Sequence, residues 1–264
     1  MIDALYIGAT GMQAQQLNVD TIAQNLANVG TTGYKRNSVS FTDLIAREAT
    51  PLARSSDAAI AGPLAALPHL GSGVAVGHMA KVFEGGDMKK TGSPLDIAIQ
   101  GEGFLSVTLP DGSEAFARGG TLKVNSDGQL ATSSGYALRP GITIPDNVQA
   151  IAIAADGTVN LTVPGQSTPI EAGHLEFVRF TDAGSLTALG ENTYRANDAS
   201  GAAIQVTPGQ NGVGTLQQGF LEGSNVKLVD ETVGLMVAQR AYEASVKVVQ
   251  AADEMLGMVN NLRR

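Results

Sequence analysis

Apolar positions recur every seven residues at both ends of the chain and alternate in twos through its middle. Leu5, Met12, Val19 and Leu26 mark the first stripe; Leu228, Leu235, Tyr242, Val249 and Leu256 mark the second. A seven-residue recurrence keeps side chains on one flank of an α-helix, so helices are predicted over residues 2–28 and 226–261. Ala9, Ile22 and Ala23 join the first stripe, while the other flank carries Gln13, Gln15, Gln16, Asn18, Gln24 and Asn25. Gly8 and Gly11 each cost about 1 kcal/mol of helix propensity relative to Ala, so this helix needs packing to persist. The run Asn28-Val29-Gly30-Thr31-Thr32-Gly33 ends it, with Gly30 or Gly33 suited to a left-handed cap. For the second helix, Ser224 or Asn225 is placed to cap the start, with Asp230 and Glu231 near the positive end of the dipole and Arg263 and Arg264 near the negative end. Ala238, Ser245 and Ala252 follow stripe positions by three residues and permit close approach of another helix.

Phe41, Leu44 and Ile45 fit one short helical turn. Residues 46–73 contain Pro51, Pro63 and Pro68 among Ser and Ala, which reads as an extended arm. From residue 74 onward the pattern is β. Three pairs of alternating runs flank Asp111-Gly112, Asp127-Gly128 and Asp156-Gly157, and Asp-Gly between such runs predicts hairpins because Gly accepts positive φ without steric cost. Residues 174–180 alternate as one further strand, and the Gly-rich stretch 209–219 reads as a hinge. The class is α+β: a discontinuous terminal-helix, coiled-coil domain (1–45 and 215–264), an arm (46–73) and a mostly antiparallel β-rich outer domain (74–214).

Composition narrows the function. A net charge of −8, with 17 basic and 25 acidic residues, opposes nucleic-acid binding, which requires a basic surface. Without Cys there is no disulfide or thiolate metal site. His69, His78 and His174 lack metal-ligand spacing, so no metal and no cofactor is expected. The first Lys or Arg is Lys35, so the N-terminus does not read as a cleavable signal. No apolar run is long enough to cross a bilayer as a helix, and no direct membrane insertion is expected. Gly71-Ser72-Gly73-Val74-Ala75-Val76-Gly77 looks like a phosphate loop but lacks the strand before it and the helix after it; it reads as the entry to a strand. Gly101-Glu102-Gly103 reads as a tight entry to the strand at Phe104. Asp111, Asp127 and Asp156 are turn residues in this setting. Lys35-Arg36 reads either as a solvated turn or as a contact to the acidic C-terminal helix. No catalytic residue is nominated.

Leu17-Asn18-Val19-Asp20-Thr21-Ile22-Ala23-Gln24-Asn25-Leu26-Ala27-Asn28-Val29, then Thr32-Gly33-Tyr34-Lys35-Arg36, resembles the N-terminal signature of bacterial flagellar rod and hook proteins. Leu221-Glu222-Gly223-Ser224-Asn225-Val226, then Ala238-Gln239-Arg240-Ala241-Tyr242-Glu243, resembles their C-terminal signature, and Leu95-Asp96-Ile97-Ala98-Ile99 with Gly101-Glu102-Gly103-Phe104 is similar to their central block. Within the family the length, Thr143-Ile144-Pro145 and the ending Ala252-Asp253-Glu254-Met255-Leu256 resemble distal rod subunits; Glu222-Gly223-Ser224 departs from the Glu-Thr-Ser expected there and keeps the proximal rod type as the alternative. The resemblance implies a structural subunit without enzymatic activity. It would leave the cell unfolded through the flagellar type III export apparatus and polymerise helically with itself across the periplasm. Proximal rod, hook, P-ring and L-ring proteins are the implied partners. The nine stripe residues would then form the assembly interface, and Arg47, Pro51, Arg54 and Pro63 an arm between subunits. The competing class is a secreted β-rich binding module or hydrolase, which would need a pocket of convergent polar groups.

Overall fold

The computed structural model describes residues 2–45, 71–165, 168–210 and 212–262. The chain is α+β, with one long helix near each end and strands between them. Helix α1 spans Ile2–Ala27 and helix α2 spans Leu228–Leu262. Between them run β1 (Asn37–Ile45), β2 (Gly71–Lys81), β3 (Met88–Lys90), β4 (Asp96–Gln100), β5 (Phe104–Thr108), β6 (Glu114–Ala117), β7 (Gly120–Val124), β8 (Leu130–Thr132) and β9 (Ala137–Leu138). They are followed by β10 (Ala150–Ile153), β11 (Thr158–Thr162), β12 (Ile170–His174), β13 (Phe177–Arg179), β14 (Thr187–Gly190), β15 (Thr193–Arg195), β16 (Ile204–Val206), β17 (Thr215–Gln218) and β18 (Phe220–Glu222).

Two compact units emerge. The first comprises Met1–Gln24, Val39–Met79 and Val229–Arg264; the second comprises Asn25–Ser38 and Ala80–Leu228. The second unit is built on an eleven-stranded sheet ordered β14-β15-β6-β5-β9-β8-β7-β4-β17, to which β13 and β16 are added through β5. The ladders of this sheet run antiparallel, as at Leu105↔Ala117 and Leu216↔Ile99. A separate antiparallel sheet joins β10, β11 and β12, and a two-stranded ribbon joins β18 to β3. Its main core contains Ile97, Ile99, Leu105, Leu130, Leu138, Val159, Leu175 and Phe177, all essentially inaccessible to solvent. A second cluster stacks Phe104, Phe116, Phe180 and Tyr194 with Phe83, ring edges against ring faces. Such edge-to-face pairs suit the quadrupole of each ring.

The three Asp-Gly turns form as the alternation predicts. Gly112, Gly128 and Gly157 all hold positive φ. Asp111 Oδ1 accepts the Ser113 N–H and Asp156 Oδ1 accepts the Thr158 N–H, while in the middle turn Asn125 Oδ1 takes the N–H groups of Asp127 and Gln129. The Ser113 hydroxyl and N–H hold the Asp111 carboxyl below its usual range.

Other readings are corrected. Phe41, Leu44 and Ile45 lie in β1, not in a helical turn, because the segment pairs with β2. The first long strand of the middle begins at Gly71 rather than Val74, so the glycine-rich run is itself strand. The alternation over 174–180 is broken: β12 ends at His174 and β13 begins at Phe177. Between them the Leu175 N–H turns to the Gly157 carbonyl and its side chain enters the main core. Within the Gly-rich stretch 209–219, Thr215–Gln218 is strand, paired with β4. Helix α2 begins at Leu228, so neither Ser224 nor Asn225 caps it. Asp230 and Glu231 do occupy its first turn. Arg47, Pro51, Arg54 and Pro63 lie outside the described residues.

Candidate assembly surface and the buried ion cluster

In the first unit α1 and α2 run antiparallel in close contact. A Cβ on Gly8 would sit 2.6 Å from Val249 Cγ2, one on Gly11 would sit 3.4 Å from Ser245 Oγ, and one on Gly234 would sit 3.5 Å from Ile22 Cδ1. The glycines that weaken these helices in isolation are what lets them approach. Enclosed positions of this unit include Ala14, Thr21 and Ile22 on α1 and Glu231, Ala238 and Ala252 on α2. The row of small residues therefore faces the partner helix, and this pairing occurs within one chain.

The predicted stripe residues flank this seam. Leu5, Met12, Val19 and Leu26 on α1 are half-buried, as are Leu235, Val249 and Leu256 on α2; Leu228 and Tyr242 are exposed. Sequence reasoning missed a second apolar row on α2: Val229, Val233, Val237, Val248, Met255 and Val259, all exposed and Val237 at 63%. Its spacing of four, seven or eleven residues was legible but was masked by the stronger seven-residue repeat. Monomeric proteins rarely leave a continuous apolar row in water, so such a row marks a surface for contact.

The second unit gathers the residues of both end signatures at one place. The Lys35 side chain is wholly inaccessible to solvent and its Nζ donates to Glu222 Oε1 at 2.7 Å and to the Glu84 carbonyl at 2.8 Å. Arg118 Nε donates to Glu222 Oε2 at 3.3 Å, and its terminal nitrogens donate to the carbonyls of Gly103 (2.9 Å) and Gly101. The Gly86 N–H adds a bond to Glu222 Oε1 at 3.0 Å. Burial, seconded by the Arg118 charge, lowers the Lys35 pKa below that of a free lysine, against the pull of Glu222. Among the described residues no buried side-chain nitrogen or oxygen lacks a partner. Lys35 is thus neither a solvated turn residue nor a contact to the C-terminal helix; its counter-ion is on β18.

Two asparagines extend the cluster. Asn25, in the last turns of α1, accepts the Asn37 N–H on Oδ1 and donates from Nδ2 to the Asn37 carbonyl, both at 2.9 Å. Asn225 Oδ1 accepts the Arg36 N–H at 2.8 Å while Nδ2 donates to the Val82 carbonyl at 2.7 Å. The Val82 N–H in turn donates to the Arg36 carbonyl, and the Gly33 N–H to the Glu222 carbonyl. Asn192 Nδ2 reaches the Thr32 carbonyl at 2.7 Å from the β14–β15 turn, where Glu191 and Asn192 both hold positive φ. Gly33 holds φ +71°, a conformation that strains any residue with a side chain, and the Asn192 amide lies over it. Residues 32–37 therefore form a strap bound to Val82 just after β2, to the β14–β15 turn, to β18 and to the segment before α2.

A groove lined by Phe83, Glu102, Phe104, Arg118, Arg179 and Phe180 opens on the β side, but the Arg118 donors are already engaged as described. Among the described residues no group of three His, Asp or Glu is placed to hold a metal ion. Among the described residues, no helix is long and apolar enough to cross a membrane.

One unit of paired terminal helices with an exposed apolar row, and one antiparallel β unit with a buried ion cluster, define a structural subunit. Three family models match in chain order: "Flagella basal body rod protein" over residues 5–35, "Flagellar hook protein FlgE/F/G D1 domain" over 98–161, and "Flagellar basal body rod FlgEFG protein C-terminal" over 217–262. The first and third carry Lys35 and Glu222, the two ends of the ion pair. Flagellar basal-body rod protein FlgG of Buchnera aphidicola subsp. Schizaphis graminum is 41% identical over 99% of this chain and 100% of its own length. That of Borreliella burgdorferi is 41% identical over 100% of both chains. In Caulobacter vibrioides, FlgG is 41% identical and FlgF 32%, each over nearly the whole chain. The chain belongs to the flagellar basal-body rod protein family.

Proposed function

We propose that this chain is the distal rod subunit of the bacterial flagellar basal body, a structural part of the shaft that carries torque to the hook. The likeness to FlgG over the full length supports the distal type, and the lower identity to FlgF of the same Caulobacter strain weighs against the proximal one. The observation that carries assembly is the exposed apolar row of α2. Among the described residues, Val229, Val233, Val237, Val248, Met255 and Val259 stand on the exposed side of α2 while other positions meet α1.

In this reading the subunit performs no catalysis. It passes unfolded through the type III export apparatus and is added to a rod that crosses the periplasm. Its neighbours are copies of itself, then the proximal rod and hook proteins along the axis and the P and L rings around it. A repeated contact that does not close into a ring generates a helical tube. The nine stripe residues and the second row together form the contact surface. Burying each Val or Leu contributes about 1.5–3 kcal/mol, against an ordering cost of about 1–2 kcal/mol per residue; only contacts shared among several neighbours offset that cost.

Val237→Asp combined with Val248→Asp tests this. Both side chains are exposed, so the monomer should fold with unchanged far-ultraviolet circular dichroism, while rods and motility are lost. Intact rods in electron micrographs of basal bodies from the double mutant would remove α2 from the assembly surface.

A further inference from the structure

Lys35 and Glu222 stand 187 positions apart in the chain and share one buried bond. Beside the bonds of Asn25 to Asn37 and Tyr34, the strap is held from late in the sequence: Lys35 by Glu222, Arg36 by Asn225, Gly33 by the Glu222 carbonyl and Thr32 by Asn192. Conversely, Glu222 without Lys35 would leave one carboxylate oxygen on the Gly86 amide alone and its charge balanced only by Arg118. Gly86 and Gly223 are packed backbone to backbone beside it, so no side chain could fill the space. Breaking a buried pair by removing one partner leaves an uncompensated charge, which is far costlier than losing a surface pair. Two charges that are each costly alone and satisfied together behave as a two-sided lock.

We propose that the Lys35–Glu222–Arg118 cluster is a latch that makes the strap after α1 and the strand before α2 order only together. The exit of α1, fixed by Asn25 on Asn37, and the approach to α2, fixed by Asn225 on Arg36 and Val82, then become one cooperative element. The N-terminal segment cannot set its strap before the last fifth of the chain is present. A chain delivered from one end would thus keep both helix roots open until delivery is complete. This goes beyond the assembly reading and holds for the monomer whether or not α2 lies in a polymer contact.

Native-state hydrogen exchange on the full-length monomer tests it, comparing wild type with Lys35→Met and Glu222→Gln. In each variant the amides of Gly33, Arg36, Val82, Gly223 and Asn225 should lose protection together, by about tenfold or more, because opening of one cooperative unit exposes all of them. The amides of Val107, Phe116 and Leu130, in the β core, should keep theirs. The cross effect is the signature: Lys35→Met must loosen Gly223 and Asn225, and Glu222→Gln must loosen Gly33 and Arg36. Loss confined to the substituted side, or equal loss in the β core, would overturn the latch. If neither variant folds, wild type alone decides. Those five amides must share one opening free energy across a denaturant series, and two distinct values for the N-terminal and C-terminal groups would overturn it. Rod assembly is not read in this experiment, so its outcome is separable from that of the proposed function.

Discussion

Lys35 shows how far a residue's neighbours in sequence can mislead. Beside Arg36, and after a run of Gly and Thr, it reads as a basic turn, yet its ammonium sits dry between Glu222 and the Glu84 carbonyl. The signal that could have found it is the co-occurrence of an isolated Glu222 in an otherwise apolar strand end, Phe220-Leu221-Glu222, since an acid there must be paired or pushed neutral. The lowered Lys35 pKa has a consequence with a definite sign. In the window between that lowered value and 10.5, the unfolded chain holds the proton more tightly than the folded one. The unfolded state then binds more protons, so the Lys35 contribution to stability rises with pH across the window and is smallest below it. Urea unfolding at pH 7 and pH 10 should show wild type gaining stability relative to Lys35→Met at the higher pH. A difference that shrinks instead would mean the pair with Glu222 outweighs burial in setting the Lys35 proton affinity.

Among elements, the helices follow their periodicity and the short segments do not. Both helices fall within two residues of their predicted limits, since long repeats average out local exceptions. Phe41, Leu44 and Ile45 have helix-like spacing, but three apolar positions are too few to outweigh pairing with β2. The His174–Phe180 alternation is genuine, but Leu175 and Phe177 are drawn to different neighbours, the Gly157 carbonyl and strands β5 and β16. Glycines within the helices also separate into two kinds. Nothing lies within 4 Å of a Cβ on Gly257, whereas one on Gly8 would strike Val249. Gly257→Ala should therefore stabilise α2 by up to about 1 kcal/mol, read as increased helicity and a raised thermal midpoint. Gly8→Ala should show no such gain, and should show it only when Val249→Ala is added. Equal gains at both positions would mean the helices are not packed at Gly8.

For the whole molecule, the division at residues 25–38 and 80–228 cuts across the linear boundaries drawn from composition. A prediction follows for limited proteolysis of the monomer. Peptides from residues 25–38 should remain bound to a fragment ending near 228, because the strap is held to residues 80–228 by the six hydrogen bonds named above. Mass spectrometry of the resistant size-exclusion peak should find both pieces, and a core that lacks residues 25–38 would show that the strap is not part of the stable unit.

The chain's local chemistry was enough to determine two terminal helices, Asp-Gly hairpins and an α+β class, since periodicity and turn stereochemistry act over a few residues. The same blocks of sequence carried the family. Burial and charge pairing were decided only in three dimensions. Which apolar row of α2 meets α1, why Gly33 and Gly86 have no side chain, and where the Lys35 charge finds its partner all depend on residues more than a hundred positions away. No local pattern encodes such contacts, because a side chain's partner across a fold is chosen by proximity after packing and not by order along the chain.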